Sequence, residues 1–369
     1  MFHLSSNFRQ QASPGSKERS AAPDTRRQRL SAYLILILGI VLLFLVIRLF
    51  GISPAGLFLS EDERFQKFTE EVFRNEMGGN TLNLHYTIAE PSSFDIDEKN
   101  VTLGDASLAS RQRACAATEN YLNILKKFNY EKLSSKHQLT YDIFLNNLTT
   151  ELAGAEYLLY DEPLSPTLGI QAQLPILLAE YTFRTKGDIE DYLTLLAQVP
   201  DYFSSILSFE QDKAREGLFM SASCAADVVS QCEEFIANPK QNYLIEIFNE
   251  KIDGISNLSA DEKIAYKNRN QSILEGYVIP AYQNLSAGVS SLSNMGKNDK
   301  GLYYYPKGTG YYQYLVKSIV GDSRSIEDIE EAVKTQMVED FTAIQKLAAQ
   351  TQKLPDIGGT SDAGGTSDT

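Results

Sequence analysis

The sequence predicts a mainly α protein, with a single N-terminal transmembrane helix followed by an extracytoplasmic helical domain. Three observations predict it. An uncharged, almost wholly apolar run fills residues 30–47 and continues past Arg48 to residue 52. The two flanks of that run differ in charge. Beyond it, apolar residues recur at helical spacing over most of the chain.

Residues 1–29 are rich in Ser, Gln, Arg and Pro and show no periodicity, which predicts a disordered cytoplasmic tail. The apolar run comes next. Its first 18 residues would span about 27 Å as a helix and the full 23 about 34 Å, against a hydrocarbon core of about 30 Å. Arg48 lies near one end, where its stem reaches the headgroups. Arg26, Arg27 and Arg29 precede the run and Glu61, Asp62 and Glu63 follow it, so the positive-inside rule leaves the N-terminus in the cytoplasm and the chain after about Gly51 outside. A cleaved signal peptide is the rival, with Ser53-Pro54-Ala55 as a small-residue site. Its leading segment would be too long, and the apolar run exceeds the usual ~7–15 residues.

Residues 56–350 are expected to form one helical domain. Ala114, Ala117, Tyr121, Leu125 and Phe128 make one stripe, and Tyr141, Phe144, Leu148, Leu152, Ala155 and Leu159 a second. Ile326, Ile329, Val333, Met337, Phe341, Ile344 and Ala348 make a third, opened by a capping box of Ser325 and Asp328. Asp188 to Ala197 predicts a shorter helix stopped by Pro200, and Leu218 to Ile236 another before Pro239. The pattern from Asp261 to Leu285 should kink near Pro280. Thr81 to Ile88 alternates after Gly78-Gly79 and suggests a strand. Residues 351–369, with Gly-Gly-Thr-Ser-Asp written twice, read as a flexible tail.

Charge narrows the function. The chain carries −14 overall, but residues 1–60 hold +5, which leaves −19 on the remainder. So acidic a domain repels phosphate backbones, and no nucleic-acid partner is expected. Cys115, Cys224 and Cys232 form no zinc or redox motif. The last two lie roughly 12 Å apart along one helix, beyond the ~7 Å that a disulfide allows. His3, His85 and His137 fit no H-E-x-x-H pattern and are expected as surface or capping residues, so no metal ligand and no catalytic residue is assigned. Gly296-Lys297-Asn298 lacks the spacing of a phosphate loop, and Glu233-Glu234 and Glu330-Glu331 point apart on their helices. One segment stands out, the tyrosine- and glycine-rich run from Tyr303 to Tyr314. Glycines beside clustered phenols permit turns that aim hydroxyls into a cleft, which makes Gly310, Tyr311 and Tyr312 the candidate binding wall; a tyrosine packing corner is the structural alternative.

Several segments together resemble a known family. They are Phe65 and Phe68 with Leu84-His85-Tyr86 and Pro91; Gly104-Asp105; Gly169-Ile170 through Leu174 to Tyr181; Asp188-Ile189 with Tyr192-Leu193; Gly217-Leu218-Phe219; and Pro306-Lys307-Gly308 with Tyr311-Tyr312. Their order resembles the N-terminal half of the bacterial domain of unknown function 885, over roughly residues 60–350. The resemblance implies a helical half of a gluzincin-like fold, related to zinc metallopeptidases that carry H-E-x-x-P-G-H in their second half. No histidine follows Tyr312 in this chain, so no residue here inherits the zinc ligands or the general base. No cofactor is expected in this chain, and zinc only with a second half present.

The expected function is therefore the membrane-anchored N-terminal part of a zinc-peptidase-like protein, truncated and inactive as it stands. A complete non-catalytic module that binds peptide or protein at the cell surface is one alternative, and one half of a split metallopeptidase is another. The expected partners are membrane lipid through one helix, a peptide or protein, and a missing C-terminal half. The expected localisation is the cell membrane, single-pass, with the main domain extracellular.

Overall fold

The computed structural model of the chain describes residues 59–96 and 100–351. The membrane segment and both tails expected from the sequence lie outside these residues. Among the described residues no helix is long and apolar enough to cross a membrane, and no strand occurs. The chain divides into two units, Met1–Arg64 and Phe65–Thr369, and both hydrophobic cores described next lie in the second.

The helices run α1 (Glu61–Gly78), α2 (Thr81–Thr87), α3 (Leu108–Leu125), α4 (Ser135–Ala153), α5 (Ile170–Glu180), α6 (Lys186–Arg215), α7 (Ala222–Ile236), α8 (Tyr243–Gly254), α9 (Ala260–Ile273), α10 (Ile279–Leu292), α11 (Gly308–Leu315) and α12 (Ile326–Thr351). A 3₁₀ segment, Ala155–Tyr160, follows α4.

Helix α6 is the axis. It starts at a capping box: Asp188 N–H donates to Thr185 Oγ1 at 3.3 Å, while Thr185 N–H donates to Asp188 Oδ2 at 2.6 Å. Ile189, Tyr192, Leu193, Leu196, Val199, Phe203 and Ile206 then repeat on one buried face. Helix α10 packs along it, α7 packs along α10, and α5 packs on both α7 and α8. The helix does not stop at Pro200, as the sequence suggested, but runs 30 residues through it. A proline inside a helix costs about 3 kcal/mol. Fully burying each large apolar side chain contributes about 1.5–3 kcal/mol, and such side chains lie buried on both sides of Pro200. Packing therefore overrides the proline. Gly217, at φ +73°, ends the helix turn, and residues 218–221 lie outside any helix, so α7 begins at Ala222 with Ser221 as its cap.

The segment Thr81–Thr87 is also a correction: it is α2, not a strand. The Asn80 side chain accepts the Asn83 N–H at 2.9 Å, a cap that a strand would not use. Near Pro280, where the sequence predicted a kink, the structure has a π turn. The five residues Leu274–Val278 form a π turn between α9 and α10, with the Ile279 N–H bonded to Leu274 O. The turn before the proline widens. A smaller core joins α1, α3 and α4 through Phe65, Phe68, Leu122, Leu125 and Leu148, which places the first two predicted stripes on α3 and α4.

The third stripe has a different fate. It lies on α12, whose Ser325 cap forms as predicted: Asp328 N–H donates to Ser325 Oγ at 3.1 Å. Yet every residue from Glu330 to Gln350 is exposed, including Val333, Met337, Phe341, Ile344 and Leu347.

Candidate functional site

A cleft of about 390 Å³ opens where α3, the Ala155–Tyr160 segment and the turn before α11 meet. Leu108 and Gln112 contribute from α3, Leu158, Leu159 and Tyr160 from the 3₁₀ segment, and Pro306 and Lys307 from the turn; Glu216 and Leu218 close the far end. Lys307 sits in the left-handed region at φ 57°, which a side chain other than glycine adopts at some cost. Its ammonium donates to Glu156 Oε2 at 2.9 Å across the cleft. That bond holds the Glu156 carboxyl below its usual range and the Lys307 ammonium above its own.

Tyrosines form the wall behind the cleft. The Tyr160 ring lies 5.0 Å from Tyr311, and Tyr157 lies 5.5 Å from Tyr311 and 5.8 Å from Tyr314. Two glycines make this packing possible. A Cβ at Gly154 would overlap the Tyr314 ring, and one at Gly310 would lie 2.7 Å from the Tyr157 hydroxyl. Each side thus offers a glycine to the other side's tyrosine. Burial, then the carboxylates of Asp161 and Glu162, push the Tyr311 hydroxyl up to about 12, so it remains a donor at any physiological pH.

Of the residues singled out in the sequence, Gly310 and Tyr311 belong to this tyrosine packing and Tyr312 is half exposed. None of the three lines the cleft. From their segment, Pro306 and Lys307 do.

Below the wall lies a group of charges that sequence reasoning missed. Glu210 and Lys213, one turn apart on α6, are 0% and 1% exposed. Neither Glu210 carboxyl oxygen has a hydrogen-bond partner, and Lys213 Nζ stands 3.8 Å away, beyond hydrogen-bond range. The ammonium donates instead to the Asp161 carbonyl at 2.8 Å. The Asp161 carboxylate pairs with Arg111 at 2.6 Å, and the Arg111 guanidinium stacks 4.3 Å over Phe209. Burial pushes the Glu210 carboxyl up to about 7, with Lys213 opposing. A signal was available. Glu210 and Lys213 continue the register of Val199, Phe203 and Ile206, so they fall on the face that α6 buries.

A second, smaller recess of about 230 Å³ holds His85 with Tyr181, Arg184 and Asp188. His85 is buried, not a surface or capping residue. Its Nε2 accepts the Thr182 N–H at 3.2 Å, its ring stacks on Tyr181 at 3.7 Å, and its Nδ1 lies 3.9 Å from Asp188. Burial, then Arg184, lowers its pKa, so the ring is neutral. The lone pair that could bind a metal is occupied by a backbone N–H. Among the described residues no three His, Cys, Asp or Glu side chains gather as a metal would require. The residues described do not fit a zinc ion.

The comparisons with known proteins agree with a helical scaffold. The protein is similar to a structure described as "the putative lipoprotein from Colwellia psychrerythraea", with a TM-score of 0.69 at 15% identity. The match covers 79% of this chain and 52% of that one, so the chain spans about half the length of this relative. No curated protein matches the chain. The profile described as "Bacterial protein of unknown function (DUF885)" matches residues 92–363, a range that holds the cleft, the tyrosine wall and α12, and by that match the chain belongs to the DUF885 family.

Proposed function

We propose that this chain is the helical, N-terminal half of a larger gluzincin-like protein, held at the outer face of a membrane by residues 30–52. It supplies scaffold and one wall of a peptide-binding cleft, and no metal centre. The observation that carries this reading is the bare apolar stripe of α12. An isolated amphipathic helix is marginal in water, and monomers rarely expose contiguous apolar patches beyond a few hundred Å². A complementary half laid along Val333, Met337, Phe341 and Ile344 accounts for the stripe. The relative of about twice the matched length supports this, and its description as a lipoprotein fits a membrane-tethered domain outside the cytoplasm. Zinc chemistry would then reside in the second half, where the family resemblance puts H-E-x-x-P-G-H.

A second reading, a non-catalytic module that binds peptide or protein by itself, is favoured by the cleft with its Glu156–Lys307 bridge. Hydrogen exchange on the full chain separates the two. With the chain alone, α12 amides should exchange orders of magnitude faster than those of α6. Equal protection of α12 and α6 would leave no bare face and would defeat the half-protein reading. One tightly held zinc per purified chain would defeat it as well.

A further inference from the structure

The sealed charges under the cleft form a device that nothing in the proposed function requires. Glu210 has a carboxyl with no exposed area and no donor on either oxygen. The nearest cation, Lys213 Nζ, is already committed to the Asp161 carbonyl at 2.8 Å. The other cation nearby, Arg111 of α3, is committed to the Asp161 carboxylate at 2.6 Å, to the Ala106 carbonyl at 3.2 Å and to the face of Phe209. Asp161 and Glu162, on the strand of chain leaving the 3₁₀ segment, add negative charge beside the carboxyl. Tyr305, from the turn before α11, interacts electrostatically with Glu210 but donates its hydroxyl to the Phe219 carbonyl at 3.1 Å. Each of these three donors is therefore used elsewhere. This arrangement suits a protonated carboxyl and not an ionised one, because an unpaired buried charge is costly.

Position gives the pair its consequence. The Asp161 carbonyl that Lys213 grips follows directly after Tyr160, the last residue of the Ala155–Tyr160 wall. The grip ties that wall to the rigid axis α6.

We propose that Glu210 and Lys213 are a proton-operated latch on the cleft: with Glu210 protonated, Lys213 holds the Asp161 carbonyl and the wall is fixed, and with Glu210 ionised the wall is released. When the carboxyl gives its proton to solvent, the new carboxylate draws the ammonium in by about 1 Å to reach hydrogen-bond distance. The bond to the Asp161 carbonyl is the one that yields. The cleft is firm in mildly acidic surroundings and loose in alkaline ones.

The test is hydrogen exchange of the Ala155–Tyr160 amides in the full chain at pH 5.5 and 8.5, with times scaled for intrinsic rates. Protection should fall at least tenfold between the two pH values in the wild type and stay constant in Glu210→Gln, which fixes the protonated shape. Lys213→Met should remove the difference by leaving the wall loose at both. An unchanged wild type, or the same fall in Glu210→Gln, overturns the latch. Should either variant fail to fold, the carbon-13 carboxyl titration of Glu210 in the wild type decides: a midpoint above pH 6 is expected, and one below pH 5 overturns the proposal. None of these outcomes depends on a second half binding α12.

Discussion

Helices α6 and α12 have much the same construction and opposite fates. Both begin at a hydroxyl cap with an aspartate three residues on, both are long, and both carry an apolar stripe at helical spacing. Helix α6 buries its stripe against α10, α9 and the Leu274–Val278 turn, whereas the α12 stripe faces solvent. The contrast teaches that periodicity reports the tendency to form an amphipathic helix and is silent on what covers it. Cover comes from neighbours.

The largest effect that could break this comparison is core truncation. Leu193→Ala, at a fully buried site, should cost about 2–5 kcal/mol. Phe341→Ala, at 62% exposure, should change stability by less than about 0.5 kcal/mol. Urea unfolding of the full chain measures both. Comparable losses would mean that α12 finds cover in solution.

Charge pairs sharpen the same contrast. Glu330–Lys334 on α12 is an exposed bridge at 2.6 Å. Lys334 holds the Glu330 carboxyl below its usual range, but solvent screens the pair, so Glu330→Gln should change the pH dependence of stability only slightly and only on the acid side. Glu210 is different. Its folded pKa, about 7 against a usual 4.5, means that the folded state keeps a proton that the unfolded state gives up. Its contribution is intact below about pH 4.5, falls as pH rises, and is lost above about 7. The loss amounts to about 3 kcal/mol at about 1.4 kcal/mol per pH unit. In Glu210→Gln the unfolding midpoint should no longer fall across that window; an unchanged fall would assign it to other groups.

The smallest effect is at the start of α6, where His85 packs beside the Asp188 cap. Its folded pKa lies below the usual 6.5 because burial disfavours the cation. The unfolded chain therefore binds the proton first, and stability present above pH 6.5 declines as pH falls below it. His85→Gln should flatten that acid limb in thermal melts at pH 5 and 7. A limb of unchanged slope would exclude the histidine as its source.

Particular residues show how much of this was legible. The stripes of α3, α4 and α12 were readable because each repeats at helical spacing without a breaker. Pro200 misled because a proline's cost is local, while the burial of Leu196, Val199, Phe203 and Ile206 that overrides it depends on helices distant in sequence. Thr81–Ile88 misled because alternation over eight residues fits a short capped helix as well as a strand, and Asn80 decides between them. Membership of the DUF885 family was readable from motif order. The tyrosine-rich run was readable as a feature, but its partners Tyr157, Tyr160 and Gly154 lie about 150 residues away. Glu210 and Lys213 belong to no recognised motif, and their register on α6 was the available clue.

The π turn at Leu274–Val278 has a consequence for how the sequence can drift. A π turn holds one residue more than the α turn it replaces. Excising one residue there, such as the exposed Gly276 with no atom near its missing side chain, would restore an ordinary turn and keep Tyr282, Leu285 and Val289 on their buried line. The same excision inside α6 would rotate everything downstream by about 100° and turn its buried face away from the core. A one-residue deletion is thus nearly silent at one place in this core and ruinous a few ångströms away, so gaps in related chains should collect at 274–278 and avoid 189–206.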